Sequence, residues 1–249
     1  MIKLHNIKLI ILGFLICFVF LNFHSFSQRI GRFISPKKTF INVTKERPLR
    51  ENFNIAFQIF SKEFDEKKAS RQLMAADLGA GAGNETIYLI EKEWNVIAID
   101  TNPYSIKTIR ERFQELQRKD RSENKQKLGS LDARLISMQK MELKPNSLDL
   151  VNASLSLPYI PRTQMKDVWK KIVDALKVGG VFTGDFFGPE HAWRNNPTMS
   201  FYSLKEILKE FFDDSNLEIR YVFDKREESR LAAGGTVFFH TITIIAQKK

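Results

Sequence analysis

From residue 47 onward, short apolar runs alternate with stretches in which apolar side chains return every third or fourth position. The first pattern suits strands buried on both faces, the second helices with one apolar stripe. Leu73–Leu78, Asn95–Ile99, Ala133–Ser137, Leu148–Ala153 and Val181–Phe186 read as strands. Between them, Asn84–Glu93, Pro103–Arg118 and Arg162–Val178 read as helices. The second carries Ile106, Ile109, Phe113 and Leu116 on one face; the third buries Val168, Ile172, Val173 and Leu176 and stops at Gly179-Gly180. Pro48–Phe64, with Phe53, Phe57 and Phe60 in register, predicts a further helix that either packs on the core or covers a site as a lid. Strand-helix alternation of this kind predicts an α/β fold with a mostly parallel sheet and helices on both faces. After a helix at Ser203–Phe212, the β-rich runs Leu217–Phe223 and Thr236–Ala246 follow with no helix between them. They predict a hairpin, which makes the last strand antiparallel. Gln117–Ser130 is polar without periodicity and reads as a solvated loop.

The first fifty residues differ from the rest. An apolar stretch runs from Leu9 to Leu21, extended loosely to Ile7 and Phe26, and predicts an N-terminal apolar helix. Residues 1–28 are expected to be a membrane anchor or a signal segment, with Ser25-Phe26-Ser27 as the cleavage site in the second case. Arg29, Arg32, Lys37 and Lys38 follow the stretch, and this excess favours a single-pass anchor with the following domain in the cytoplasm; export after cleavage is the alternative. Residues 29–46 read as a basic linker and 47–249 as one catalytic domain. Of the net charge of +10, residues 1–50 supply +8, so the domain has no basic surface suited to tracking phosphates, and no nucleic-acid partner is expected. Contacts with the membrane are expected in the N-terminal segment alone. The lone cysteine, Cys17, excludes an internal disulfide and a cysteine metal site.

The chemistry concentrates at the end of the first strand. Asp77 is followed by Gly79, Gly81 and Gly83, and then a helix opens at Asn84-Glu85. Glycines there let the backbone turn sharply and approach a ligand, towards which the next helix points free N–H groups. Asp77 and Glu85 would repel a pyrophosphate and attract an ammonium and a sulfonium. Asn84 also stands where the dinucleotide fingerprint needs its third glycine. The second strand ends in Asp100, placed to accept hydrogen bonds from both ribose hydroxyls of a nucleoside. Asn102, followed by Pro103, is the better cap for the next helix, which leaves Asp100 without a structural duty.

The pattern Asp77-x-Gly79-x-Gly81-x-Gly83 resembles the first motif of class I S-adenosylmethionine-dependent methyltransferases. Leu143–Tyr159 and Ala175–Gly188 with Trp193 are similar to the fourth- and fifth-strand regions of the tellurite-resistance-type small-molecule methyltransferases, and the resemblance spans residues 47–249. It implies a Rossmann-like three-layer sandwich with a seven-stranded sheet and the cofactor, S-adenosyl-L-methionine, across the strand ends. It places Asp77, Gly79, Gly81, Gly83, Asp100 and Asn102 around that cofactor, Ser137 and Met138 beside the adenine, and Asn152 and Ala153 under the methionine part. Such families often carry an acid where this chain has Ser137. Asn152-Ala-Ser-Leu departs from the Asn/Asp-Pro-Pro-Tyr/Phe of nucleic-acid amino-methyltransferases.

Methyl transfer is an in-line displacement, so the protein has mainly to align and desolvate the reactants. Phe186, Phe187 and Trp193 are expected to line a substrate pocket after strands four and five, with His240 beside them; core packing is the other reading of each. Tyr159 and His191 are the candidate catalytic residues, His191 as base or orienter of the acceptor. His240, mid-strand, also reads as a hydrogen-bonded core residue, and two histidines so far apart make no metal site. A small-molecule acceptor is the expectation. The alternatives are a nucleic-acid or protein methyltransferase and a nicotinamide-binding oxidoreductase.

Overall fold

The computed structural model describes residues 36–123, 127–213, 215–230 and 235–249. The apolar segment 1–28, and with it the expected N-terminal helix, lies outside the described residues. Among those described, no helix is long and apolar enough to cross a membrane. The stretch read as a basic linker contains a helix, α1 (Pro36–Thr44), and the large compact unit begins at Ile41.

Seven strands form one sheet: β1 (Met74–Leu78), β2 (Asn95–Asp100), β3 (Leu131–Leu135), β4 (Leu148–Ala153), β5 (Leu176–Phe187), β6 (Leu217–Arg230) and β7 (Thr236–Lys248). Their spatial order is β3-β2-β1-β4-β5-β7-β6. The β1–β2, β1–β4, β2–β3 and β4–β5 pairs are parallel, and β7 runs antiparallel to both β5 and β6. Because the order reverses between β1 and β4, the carboxyl ends of these two strands open a crevice, the usual ligand position in open α/β sheets.

Side-chain alternation along the strands divides the core in two. Ala76 and Leu78, Val151 and Ala153, and Phe182 and Phe186 face one layer. That layer is built by α5 (Arg162–Ala175) and by α6 (Leu204–Ile207), which continues as a π-helical turn, Leu208–Phe212. Trp169 centres this layer, with ring centroids 4.8 Å from Phe182 and 5.1 Å from Phe212, and its indole N–H donates to the Phe211 carbonyl at 2.9 Å. Ala75, Leu150 and Val181 face the other layer, where α2 (Glu51–Ser70) and α3 (Asn84–Glu91) bury Phe53, Phe60, Phe64, Leu89 and Ile90 against Trp94.

Three expectations change. The helix α4 (Pro103–Glu123) runs on through much of the expected loop, with the i,i+4 ion pair Glu115–Lys119 spanning the point where apolar periodicity ends. Gly179-Gly180 does not stop a helix. α5 ends at Ala175, and the strand starts at once because Leu176 pairs with Leu148, with the glycines taken into a register shift. Lys177 is drawn the same way: it joins Arg71 and the Met74 N–H on the buried Asp149 carboxylate, at the end of the sheet opposite the crevice. The hairpin extends past Phe223 to Arg230, a charged ribbon in which Asp224–Arg230 pair only with β7.

Candidate active site

The glycine turn is built by hydrogen bonds across the crevice. The N–H groups of Gly79 and Ala80 donate to the Ile99 carbonyl at 2.8 and 3.0 Å, tying the end of β1 to the end of β2. Gly83 caps α3 in the left-handed region, with φ +79. A Cβ on Gly81 would meet nothing nearer than the Gly79 carbonyl at 3.9 Å, so the middle of the turn faces open space. Asp100 holds the turn from the side: one carboxylate oxygen accepts from the Gly81 N–H at 2.8 Å and the other from the Asn102 N–H at 2.7 Å. The structural duty that the sequence did not reveal is therefore there. Burial pushes the Asp100 carboxyl above its usual range, against these hydrogen bonds. Asn102 caps α4 through the Tyr104 N–H at 3.1 Å.

The two acids of the turn have different surroundings. Asp77 is buried, accepting from Thr86 Oγ1 at 2.6 Å and Asn152 Nδ2 at 2.8 Å. Burial, and after it the nearby Glu85, push its carboxyl up to about 7. Burial acts on Glu85 in the same direction, but Arg47 overcomes it and holds that carboxyl below the usual range. Arg47 grips Glu85 with both guanidinium prongs at 2.7 Å, and the Arg50 N–H adds a third bond at 2.8 Å. Glu85 is thus neutralised, and Asp77 is ionised only above about pH 7, so the attraction for a cation that both acids were expected to supply is weakened at each. Asn84 completes the clasp. It donates to the carbonyls of Thr44 and Arg47 at 3.1 and 2.9 Å, while Arg112 donates to its side-chain oxygen at 2.6 Å.

On the far side of the crevice, Asn152 and Ala153 end β4, both buried. The Asn152 amide is spent on Asp77, and its oxygen lies 2.7 Å from the Ser154 hydroxyl. Leu155 follows with φ +48, a costly conformation for a branched residue, held by its N–H donating to Asp185 at 2.9 Å. Ser156 packs on Gly79, and its hydroxyl has no partner. Ser137 and Met138, half-buried after β3, flank Asp100 through the Ile136 N–H, which donates to the Asp100 carbonyl at 3.1 Å.

Beyond these ends lies a cleft of about 420 Å³ lined by Tyr159, Ala192, Trp193, Asn195, Asn196 and Met199. Phe187 backs its wall, 6.5 Å from the Tyr159 ring and 6.3 Å from Trp193. His191 stacks on Phe187 at 3.9 Å and is fully buried. Its Nδ1 accepts from the Trp193 N–H at 3.0 Å, which leaves Nε2 as the protonated nitrogen, without a partner. Burial, aided by His240, lowers its pKa to about 4. In this arrangement the ring is a neutral donor and not a base. Among the described residues, no group of three or more His, Cys, Asp or Glu could hold a metal ion.

Residues 76–182 match the family described as "Methyltransferase domain". These residues are a methyltransferase domain. The solved structures agree in fold. TehB from Haemophilus influenzae superposes with a TM-score of 0.56 at 19% identity, over 76% of this chain and 62% of its own. This chain therefore spans less than two thirds of that relative. Magnesium protoporphyrin IX methyltransferase from Synechocystis PCC 6803, solved with bound SAM, superposes at 0.58 with 11% identity, over 89% of this chain and 95% of its own. Geranyl diphosphate C-methyltransferase from Streptomyces coelicolor A3(2) gives 0.52 at 15% identity, over 76% and 75%. No curated protein matches in sequence. The matched residues and the shared fold are those of methyltransferases.

The expected substrate pocket is rearranged in the methyltransferase. Trp193 and Tyr159 line the cleft and Phe187 supports it. Phe186, on the opposite strand face, is stacked 5.6 Å from Phe211 in the core and does not reach the cleft. His240 is also buried: Nε2 lies 2.9 Å from Asp224, and Nδ1 accepts from the Glu190 N–H at 3.2 Å, pinning the loop after β5 to the hairpin. Sequence reasoning missed Ala192, Asn195, Asn196 and Met199, for which the Asn195-Asn196-Pro197 turn signal was the only trace. It also missed Arg47, whose partner stands 38 residues away.

Proposed function

We propose that this methyltransferase moves a methyl group from S-adenosyl-L-methionine to a small-molecule acceptor held in the Tyr159–Trp193 cleft. The residues at the strand ends fit the cofactor. Gly81 leaves open space where a nucleoside would pass, the Asp100 carboxylate stands beside it at the end of β2, and the Ser156 hydroxyl on Gly79 lacks a partner. Bound there, the cofactor supplies a sulfonium-activated methyl group. Asp100 would hold the ribose, Gly79, Gly81 and Gly83 the backbone cradle, Ser137 and Met138 the adenine side, and Asp77 with Asn152 and Ala153 the charged methionine end.

The chain's own task is then positioning and desolvation. Phe187 and Trp193 give the acceptor apolar walls. Tyr159 offers a hydroxyl, and the buried, neutral His191 supports Phe187 and Trp193 from behind. The observation that carries the small-molecule reading is the cleft itself, whose volume of about 420 Å³ is the scale of pockets that hold metabolites. The test is incubation with radiolabelled cofactor and fractionated cell extract. Label is expected in the small-molecule fraction; label confined to protein or RNA would overturn the reading.

A further inference from the structure

Two arginines at the entry to α2 compete for one carboxylate, and that carboxylate goes to only one of them. Glu85 takes both guanidinium prongs of Arg47, and from Arg50 only the backbone N–H. The half-buried Arg50 guanidinium makes no hydrogen bond or ion pair with any of the described residues. Its position is nonetheless fixed. Two residues on, Asn52 donates to Thr183 of β5 at 3.3 Å and lies 2.9 Å from the Ser154 hydroxyl after β4. The start of α2 is therefore pinned over the carboxyl ends of β4 and β5.

The charged and titratable groups facing Arg50 are Arg47, Glu85, Asp185 and Tyr159. Arg47 repels it, and Glu85 is already neutralised. Asp185 is committed to Thr243 Oγ1 at 2.6 Å and the Leu155 N–H at 2.9 Å, and burial raises its carboxyl above the usual range. Tyr159 is a neutral phenol that lines the cleft. Burial, and then Arg47, lower the Arg50 pKa from its ordinary value, yet a guanidinium keeps its proton at any working pH. The protein thus holds a partly desolvated cation beside its cleft, near Glu85 and Asp185 but paired with no carboxylate among the described residues.

We propose that Arg50 is an oxyanion receptor, pairing through its planar fork with a carboxylate or similar group brought to the mouth of the cleft. Two sources share this chemistry, the α-carboxylate of the cofactor and an oxyanion on the acceptor. The inference rests on the proposed function above.

The test titrates S-adenosylhomocysteine and 5′-methylthioadenosine, which lacks the amino-acid part, into the full chain and its Arg50→Gln and Arg50→Lys variants. Benzoate and phosphate are then titrated into each protein saturated with S-adenosylhomocysteine. If the cofactor carboxylate is the partner, Arg50→Gln loses about tenfold or more for S-adenosylhomocysteine and nothing for methylthioadenosine, with Arg50→Lys between. If the acceptor supplies the anion, cofactor affinity holds and Arg50→Gln binds benzoate or phosphate about tenfold more weakly than wild type. Either result supports the proposal. Equal affinities of wild type and Arg50→Gln for all four probes overturn it. A wild-type protein that fails to bind S-adenosylhomocysteine overturns the underlying function instead.

Discussion

Gly83 shows how little freedom the glycine turn has. A Cβ there would stand 2.5 Å from Ile109 Cγ1, at a φ of +79 that side chains rarely adopt. Gly83→Ala is expected to cost about 1–3 kcal/mol in urea denaturation, from strain and overpacking together. Asp77 gives a second prediction at this scale. Its carboxyl, raised to about 7, stays protonated in the folded protein where the unfolded chain ionises from 3.8 upward. Its contribution to stability is complete below about pH 4 and is lost as pH rises through 7, by at most about 1.4 kcal/mol per unit. The stability of wild type relative to Asp77→Asn should therefore fall across that window; a flat difference would contradict the raised value. Such residues were legible singly, because Asp77, the glycines and Asp100 stand at fixed spacings from predicted strands. Their partners were not. Nothing in the pattern couples Glu85 to Arg47, or the Asp100 carboxylate to the Gly81 N–H.

Among elements, the strap from Thr44 to Arg50 has the most at stake. Glu85 is 3% exposed in its side chain, so removing Arg47 strands a buried charge. Arg47→Met should destabilise by about 3–5 kcal/mol, with most of that recovered in the Arg47→Met, Glu85→Gln double variant. The loop after β5 makes a different prediction. With its pKa near 4, His191 is neutral above the unfolded value of 6.5, and its share of stability is lost as pH falls from there through 4. The pH profile of kcat/KM should keep its shape between pH 6 and 8 in His191→Gln; a limb near 6.5 that vanished in the variant would restore the histidine as base. Elements were legible wherever burial imposed a period. The tail of α4 and the end of the hairpin are held by charge pairs on solvated faces, which leave no hydrophobic signature. The early start of β5 reflects pairing with β4, a non-local preference that overrode the glycine stop signal.

At the scale of the molecule, the alternation of strands and helices was enough to give a mostly parallel sheet, and the missing helix before β7 its antiparallel last strand; the count of seven strands came with the resemblance. The acceptor cleft was less legible, because it is assembled from the turn after β4 and an irregular loop after β5. The central claim is that the crevice between β1 and β4 receives the nucleoside of the cofactor. Its most direct test is a crystal structure with S-adenosylhomocysteine bound. The Asp100 carboxylate should lie within hydrogen-bond distance of both ribose hydroxyls, with the sugar crossing the face of Gly81. A nucleoside bound elsewhere, or Asp100 turned from the sugar, would contradict the account.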